Sequence, residues 1–455
     1  MKSVGLDIGT SSICAVLIDA DTGELCKKLC RENKSSIQSE SPWEKLQNPK
    51  EILELCKRLL EELLSDESDV AALGVTGQMH GILYLDHKGS AISPLYTWQD
   101  GRGNLPFKNG LSFSQYLKEK TGYEVPTGYG MATHFYNETE GLIDERASCF
   151  CSIGDYVAMS LGGEKKPLLH PGTAASLGMY DIKNGCFDFA ALEAVGMDVS
   201  LLPRVERREK GSGYSKGKIP VCLALGDNQA SFFGSVGNES GVLVNVGTGS
   251  QISVLTKEFR GLDIGECRPY IDGSYLCVGS SLCGGYAYSL LHRFFAESGS
   301  LFFGSPPNSE EIYEQMNNAA AAVYDCGRDR LRVNTQFKGT RKNPDKRGEI
   351  LNLGEENFRP GDLALGVLRG ICDELYEFFT QLSPDLLTCK SLVGSGNGIR
   401  KNPLLRKIIS DKFQCGVKIP KYSEEAAYGS ALFALYCIGS PMKTRDLSRL
   451  IKYEE

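Results

Sequence analysis

The sequence predicts an α/β protein of two domains flanking a cleft. Three observations lead there: a chain of 455 residues, a strand-turn-strand pattern that opens each half, and apolar strands alternating with amphipathic helices. A single hydrophobic core rarely organises more than about 300 residues, so two domains of roughly 200 residues each are expected. The cleft between them is then the default ligand site.

Residues 4–18 read as strand, glycine-containing turn and returning strand, and residues 242–255 repeat the form. Laid over one another, the turns are Asp7-Ile8-Gly9-Thr10-Ser11-Ser12 and Asn245-Val246-Gly247-Thr248-Gly249-Ser250. Between them, Ile52, Leu55, Leu59, Leu60 and Leu63 carry the three-four spacing of an amphipathic helix over 48–65, and 71–75 reads as a buried strand. Strand and helix alternate again over 220–236 and 391–413, which favours α/β over all-α or all-β. The polar stretch 204–217 reads as a connection within the first domain, and 299–309, rich in Gly, Ser and Pro, as a surface loop of the second. The turn at Asn238 sets the boundary, giving domains 1–238 and 239–455.

Composition excludes several classes. With 50 basic and 57 acidic residues interspersed and a net charge of -7, no basic stripe favours nucleic acid or an anionic membrane. No apolar run approaches the ~20 residues that span a bilayer. Sixteen scattered cysteines and a start that runs straight into a strand predict reduced thiols in a cytoplasmic protein. Cys149 and Cys151 lack a second pair at zinc-ligand spacing, so they are expected to be inert thiols.

The chemistry-bearing residues cluster in four places. A turn with Gly9-Thr10 or Gly247-Thr248-Gly249 offers amides and a hydroxyl to phosphate oxygens. Either turn alone reads equally as an ordinary tight turn; two copies favour a phosphate clamp. Asp7 has Asn245 as its counterpart, so one side alone carries a carboxylate, and Asp7 is expected to face a metal. In Leu225-Gly226-Asp227-Asn228 a strand runs into a turn and a helical pattern, placing Asp227 at the ligand-binding edge of an α/β sheet as a helix cap, a catalytic base, or both. Gln78, Met79 and His80 follow a strand, and Trp98, Asp100 and Arg102 lie further on; Trp98 offers a face to sugar C–H groups and the polar side chains offer hydrogen bonds. A local Asp100–Arg102 salt bridge and a structural His80 are the alternatives. Gly394-Ser395-Gly396-Asn397-Gly398 passes from strand to glycine-rich turn, either an ordinary loop or a surface for adenine and ribose. No P-loop or Rossmann fingerprint is present.

These motifs, in this order, resemble the FGGY carbohydrate kinase family almost from end to end. Asp7-Ile8-Gly9-Thr10 is similar to its first phosphate motif, Gly77-Gln78-Met79-His80-Gly81 to its sugar-side turn, and Gly226-Asp227-Asn228 to its catalytic turn. Val246-Gly247-Thr248-Gly249-Ser250 is similar to the second phosphate motif, Gly394-Ser395-Gly396-Asn397 with Asn402 to the adenosine motif, and 425–431 to the small-residue helix closing the C-terminal domain. The resemblance implies two ribonuclease H-like domains of the actin-like ATPase architecture. It also implies ATP and Mg²⁺ in the cleft and phosphorylation of a sugar hydroxyl, with Asp227 as base and Asp7 and Asp227 toward the metal. Residues 97–102, 121–133 and 226–231 resemble the sedoheptulokinase branch, which implies sugar contacts from Thr133 and Asn228, although Asn228 is shared with xylulokinases. Gln99 and Asp100, with a polar loop holding Thr133 and His134, are expected to set the sugar length. A kinase for another ketose, an actin- or chaperone-like ATPase and a non-catalytic sugar sensor are the rival readings, and a homodimer is left open.

Overall fold

The computed structural model describes residues 1–209, 213–214, 218–237, 241–262, 265–304, 308–327, 331–340, 343, 345–383, 389, 391–439 and 444–454. The chain opens with the expected hairpin of β1 (Lys2–Ile8) and β2 (Ser12–Asp19), extended antiparallel by β3 (Leu25–Glu32). Helix α1 (Pro49–Leu63) starts where Asn48 accepts the amides of Lys50 and Glu51, and its Ile52, Leu59, Leu60 and Leu63 are buried. Strand β4 (Val70–Gly77) then lies parallel to β1, with Gly77 beside Ile8. Helices α2 (Gly130–Thr139) and α3 (Pro171–Leu177) follow. Next come β5 (Gly213–Tyr214), β6 (Val221–Cys222), β7 (Leu225–Gly226) and helix α4 (Asp227–Ser235). The first sheet runs β5-β6-β4-β1-β2-β3, with β7 also paired to β4.

The second half repeats the plan. Its strands are β8 (Val242–Val246), β9 (Ser250–Thr256), β10 (Glu266–Pro269), β11 (Tyr275–Ser281), β12 (Leu392–Ser395) and β13 (Val417–Lys418), in the order β10-β11-β9-β8-β12-β13. Its main helices are α5 (Gly285–Phe303), α6 (Pro360–Leu382), α7 (Pro403–Phe413) and α8 (Glu425–Cys437). Among the described residues no helix is long and apolar enough to cross a membrane.

Helix α8 does more than end the second half of the chain. It packs on the first sheet and against α4, because small residues let backbones touch: a side chain on Gly5 would collide with the Ala427 carbonyl, and one on Gly74 with that of Ser430. Val16, Phe232, Phe233, Leu243, Val393 and Phe433 share the resulting core, which joins the two sheets.

Three further expectations change. Residues 299–303 continue α5, which ends at Gly304 in the left-handed region (φ 79°), instead of forming a loop; 305–307 lie outside the described residues. Within 204–217, Arg204–Val205 and Gly213–Tyr214 form short strands, while 210–212 and 215–217 lie outside the described residues, as does the boundary turn at 238–240. Cys14 and Cys30 form a disulfide instead of remaining thiols, because the β2–β3 register sets them directly opposite, with Cα atoms 4.2 Å apart. Cys149 and Cys151 remain free thiols, both raised in pKa by burial.

Candidate active site

Three neighbouring strands of the first sheet end together. Ile8 on β1 and Gly226 on β7 both pair with Gly77 on β4, in parallel registers, so Asp7, Gly9, Gln78 and Asp227 emerge along one edge. Asp227 occupies the first turn of α4; the cap position is Gly226, so Asp227 is not the capping residue. Its carboxylate accepts the Asn228 amide at 2.7 Å. Burial pushes its pKa up to about 6, against the opposing pull of that amide and of Arg268. Asp7 is pushed further, to about 8, by burial and then by the nearby carboxylates of Asp227 and Glu424. Two buried acids, one raised by the other, suit a divalent cation, and among the described residues Asp7 Oδ1 is buried without a hydrogen-bond partner.

Around them a polar network fixes the first phosphate turn. Gln47 donates to the Thr10 carbonyl at 2.9 Å and accepts from Gln78 at 2.8 Å, and Asn33 donates to the Gly9 carbonyl at 2.9 Å. Trp98 is 45% exposed, and its indole N–H donates to the Thr10 hydroxyl at 3.1 Å, so the aromatic face is held over the cleft by the phosphate hairpin itself. Sequence reasoning missed Gln47 and Asn33, and their only signal is an amide side chain beside a short strand or turn.

The turn after β4 is strained. His80 has φ 73°, a region β-carbon-bearing residues avoid, and is held by a 2.8 Å contact from Nδ1 to the Ser176 carbonyl and by stacking on Tyr129 at 4.1 Å. Gln78 and Met79, the two residues before it, are buried. Among the described residues, Asn228 Oδ1 and Thr133 Oγ1 are buried without hydrogen-bond partners.

Asp100 and Arg102 do not join this cluster. Arg102 Nε donates to Asp100 Oδ1 at 2.6 Å, Asp100 Oδ2 accepts the Lys45 amide at 3.1 Å, and Arg102 also bonds Asn137. The guanidinium lies 4.2 Å from the Tyr96 ring centroid with Trp43 and Tyr136 nearby, and both residues are fully buried. They form the local salt bridge that holds the loop carrying Trp98. Gln99 is exposed beside Trp98. Thr133 and His134 lie on α2 and not on a loop; His134 sits in the core against Phe150 and Tyr84, where burial lowers its pKa to about 4. Neither His134 nor Asp100 is placed to read sugar length.

Across the cleft, Thr248 stands exposed at the tip of the β8–β9 turn. The Gly247 amide is occupied by the Gly249 carbonyl at 3.0 Å, so the turn offers the Thr248 hydroxyl and the following amides and not the Gly247 amide. The start of α5 closes on this turn through Gly285 N to Gly247 O (2.8 Å) and Tyr286 N to Thr248 O (3.0 Å), placing Gly284 and Gly285 beside it. On the neighbouring strand, Ser395 accepts from Asn245 at 2.8 Å, and Gly396 (φ 81°) lets the 394–397 turn pass the Val246 carbonyl. Asn397 opens the short helix Asn397–Arg400, and Asn402 caps α7 by accepting the Leu405 amide at 3.0 Å while donating to Asn317.

A family model for the N-terminal domain of the FGGY family of carbohydrate kinases matches residues 3–234, and one for the C-terminal domain matches 242–438. The chain is 28% identical to a sedoheptulokinase of Mus musculus, with 98% of each chain covered. It is 25% identical to a sedoheptulokinase of Homo sapiens, over 95% of this chain and 97% of the relative. Xylulose kinase from Rhodospirillum rubrum superposes with a TM-score of 0.85 at 20% identity, covering 100% of this chain and 93% of that one, a likeness of fold. Matched by both domain models over most of its length, the chain belongs to the FGGY family of carbohydrate kinases and is a sugar kinase, a phosphotransferase with an alcohol acceptor.

Proposed function

We propose that this chain transfers the γ-phosphoryl group of ATP to the terminal C7 hydroxyl of sedoheptulose, giving sedoheptulose 7-phosphate and ADP. The observation that carries the chemistry is Asp227 at the shared carboxyl end of three strands, beside Asp7 and the 78–80 turn. Sedoheptulose is chosen because sedoheptulokinases match the chain along nearly its whole length. The sugar lies between Trp98, Gln78, Met79, His80, Thr133 and Asn228, and its terminal hydroxyl donates to the Asp227 carboxylate. As the oxygen–phosphorus bond forms and the bond to ADP breaks, the hydroxyl proton passes to Asp227; a carboxylate suffices because the transition state is loose. Thr10 from one hairpin and Thr248 with Gly249 from the other hold phosphate oxygens. Gly394, Ser395, Gly396 and Asn397 border the adenosine, with Asn402 anchoring that turn. Asp7, with Asp227 facing it, would hold magnesium, which would supply charge neutralisation on the phosphates.

The deciding experiment is ADP formation across a ketose panel. A buried polar group left unpaired by a shorter sugar costs ~1 to 3 kcal/mol, so xylulose should show kcat/KM about tenfold to a hundredfold below sedoheptulose. Equal or better use of xylulose overturns the sugar assignment and leaves the kinase reaction standing. ADP release that needs no sugar would mark an ATPase instead.

A further inference from the structure

Strand β10 is an edge strand of the second sheet, yet its side chains serve the wall of the sugar site in the first. Arg268 Nη2 donates to the Tyr129 hydroxyl at 3.1 Å, and Nη1 lies 3.8 Å from the Met79 sulfur. The Tyr129 hydroxyl in turn donates to Glu266 Oε1 at 2.6 Å, and Glu266 pairs with Arg268 two residues along the same face of β10. The backbone comes equally close: a side chain on Gly172, at the start of α3, would lie 2.7 Å from the Pro269 carbonyl. That helix also supplies the Ser176 carbonyl that holds His80.

The contacts converge on one strained element. Met79 and His80 form the turn with positive φ, Tyr129 stacks on the His80 ring, and Met79 fills the space where a side chain on Gly226 would stand, 2.6 Å from its sulfur. A strained backbone persists only where its surroundings over-determine it. Two of the groups doing so here, Glu266 and Arg268, come from the opposite sheet. The Arg268 side chain is only 11% exposed, so its hydrogen bonds are not weakened by competition with bulk water.

We propose that Arg268, aided by Glu266, is a positioning residue for sugar recognition supplied by the nucleotide half: it clasps Tyr129 and Met79 across the domain seam and so holds the 78–80 turn in its sugar-binding shape. This rests on the assignment of that turn to the sugar. Among the described residues Arg268 has no hydrogen bond to the 247–249 or 394–397 turns, so its loss should be felt by sugar and not by nucleotide.

The test is calorimetric binding of sedoheptulose, and separately of ADP, to Arg268→Met, Arg268→Lys, Tyr129→Phe and the Arg268→Met/Tyr129→Phe pair. Loss of a buried charge-assisted hydrogen bond predicts a sedoheptulose Kd about tenfold or more above wild type for Arg268→Met, with ADP affinity within about twofold. Arg268→Lys should recover part of the loss, since the charge returns without the planar fork. The double variant should lose less than the product of the single effects, because both side chains serve one clasp. A folded Arg268→Met with unchanged sedoheptulose Kd, or with ADP affinity reduced equally, overturns the inference; if Arg268→Met does not fold, Arg268→Lys and Tyr129→Phe decide by the same criteria. Binding needs no turnover, so failure of Asp227 as the base leaves this result interpretable, and a sugar other than sedoheptulose from the ketose panel replaces it as probe if that panel so directs.

Discussion

Replacing Asp227 by Asn removes the proton acceptor while keeping the shape of the site. The amide oxygen of Asn can still accept the Asn228 N–H, now 2.7 Å from the carboxylate, so the start of α4 should stand and thermal stability should change little. Losing a general base costs about 10²- to 10⁴-fold in turnover, while sedoheptulose and ATP affinities should stay within a few-fold. The pH profile offers an independent reading. Burial raises the Asp227 carboxyl to about 6, and the base works only when ionised. For wild type, kcat/KM should therefore fall about tenfold between pH ~7 and pH ~5, across that value. The residual activity of Asp227→Asn should lack this limb. Coupled ADP assays from pH 5 to 8, with sugar binding by calorimetry, measure both. A folded variant keeping more than a tenth of wild-type turnover, or an identical acidic limb in the variant, would refute Asp227 as the base.

The remaining predictions concern the second hairpin and the helix crossing. Thr248→Val removes the one exposed hydroxyl at the tip of the β8–β9 turn and should raise KM for ATP several-fold while sedoheptulose Kd is unchanged; unaltered ATP kinetics would mean the turn is no phosphate clamp. Gly429→Val places a side chain against α4, its Cβ 2.7 Å from the Gly234 amide, and should lower stability in urea melts by about 1 to 3 kcal/mol or more, because backbone cannot yield as a side chain does. Wild-type stability there would mean that α4 and α8 do not touch through their glycines.

Legibility of the site followed sequence distance. The pairs Gly9-Thr10 and Gly247-Thr248, and Asp227 after its strand, were readable because strand, turn and functional residue lie within a dozen positions. The environment that decides whether a polar residue faces a ligand or a neighbour is assembled from far away. Asp100 and Arg102 looked like sugar ligands beside Trp98, yet Trp43, Tyr96, Asn137 and the Lys45 amide surround them and satisfy both. Gln47 and Arg268 were missed for the same reason: each meets the site only through the sheet topology. Helix α8 was assigned to the second domain by resemblance, and what its motif left unread is that its small residues also fit the glycines of β1 and β4.

The two hairpins show how a true repeat can still mislead. Their turns align residue for residue as text, which would set Asp7 opposite Ile13 as Asn245 is opposite Gln251. In the structure Gly9 N bonds Ser12 O while Gly247 N bonds Gly249 O, so the first loop spans one residue more and Asp7 faces Cys14. Side chains alternate along a strand, so a shift of one residue exchanges the faces of β2 relative to β9. Behind the acidic turn stand Cys14 and its partner Cys30; beside the Asn245 turn stands the amide of Gln251. The first hairpin presents a carboxylate whose proton affinity is raised by burial and by the Asp227 and Glu424 carboxylates, which suits it to a cation. The second presents amides and hydroxyls, which suit phosphate oxygens. The exchange of Asp7 for Asn245, plain in the overlay, distinguishes the two hairpins chemically, and the extra loop residue decides what stands opposite each, Cys14 or Gln251.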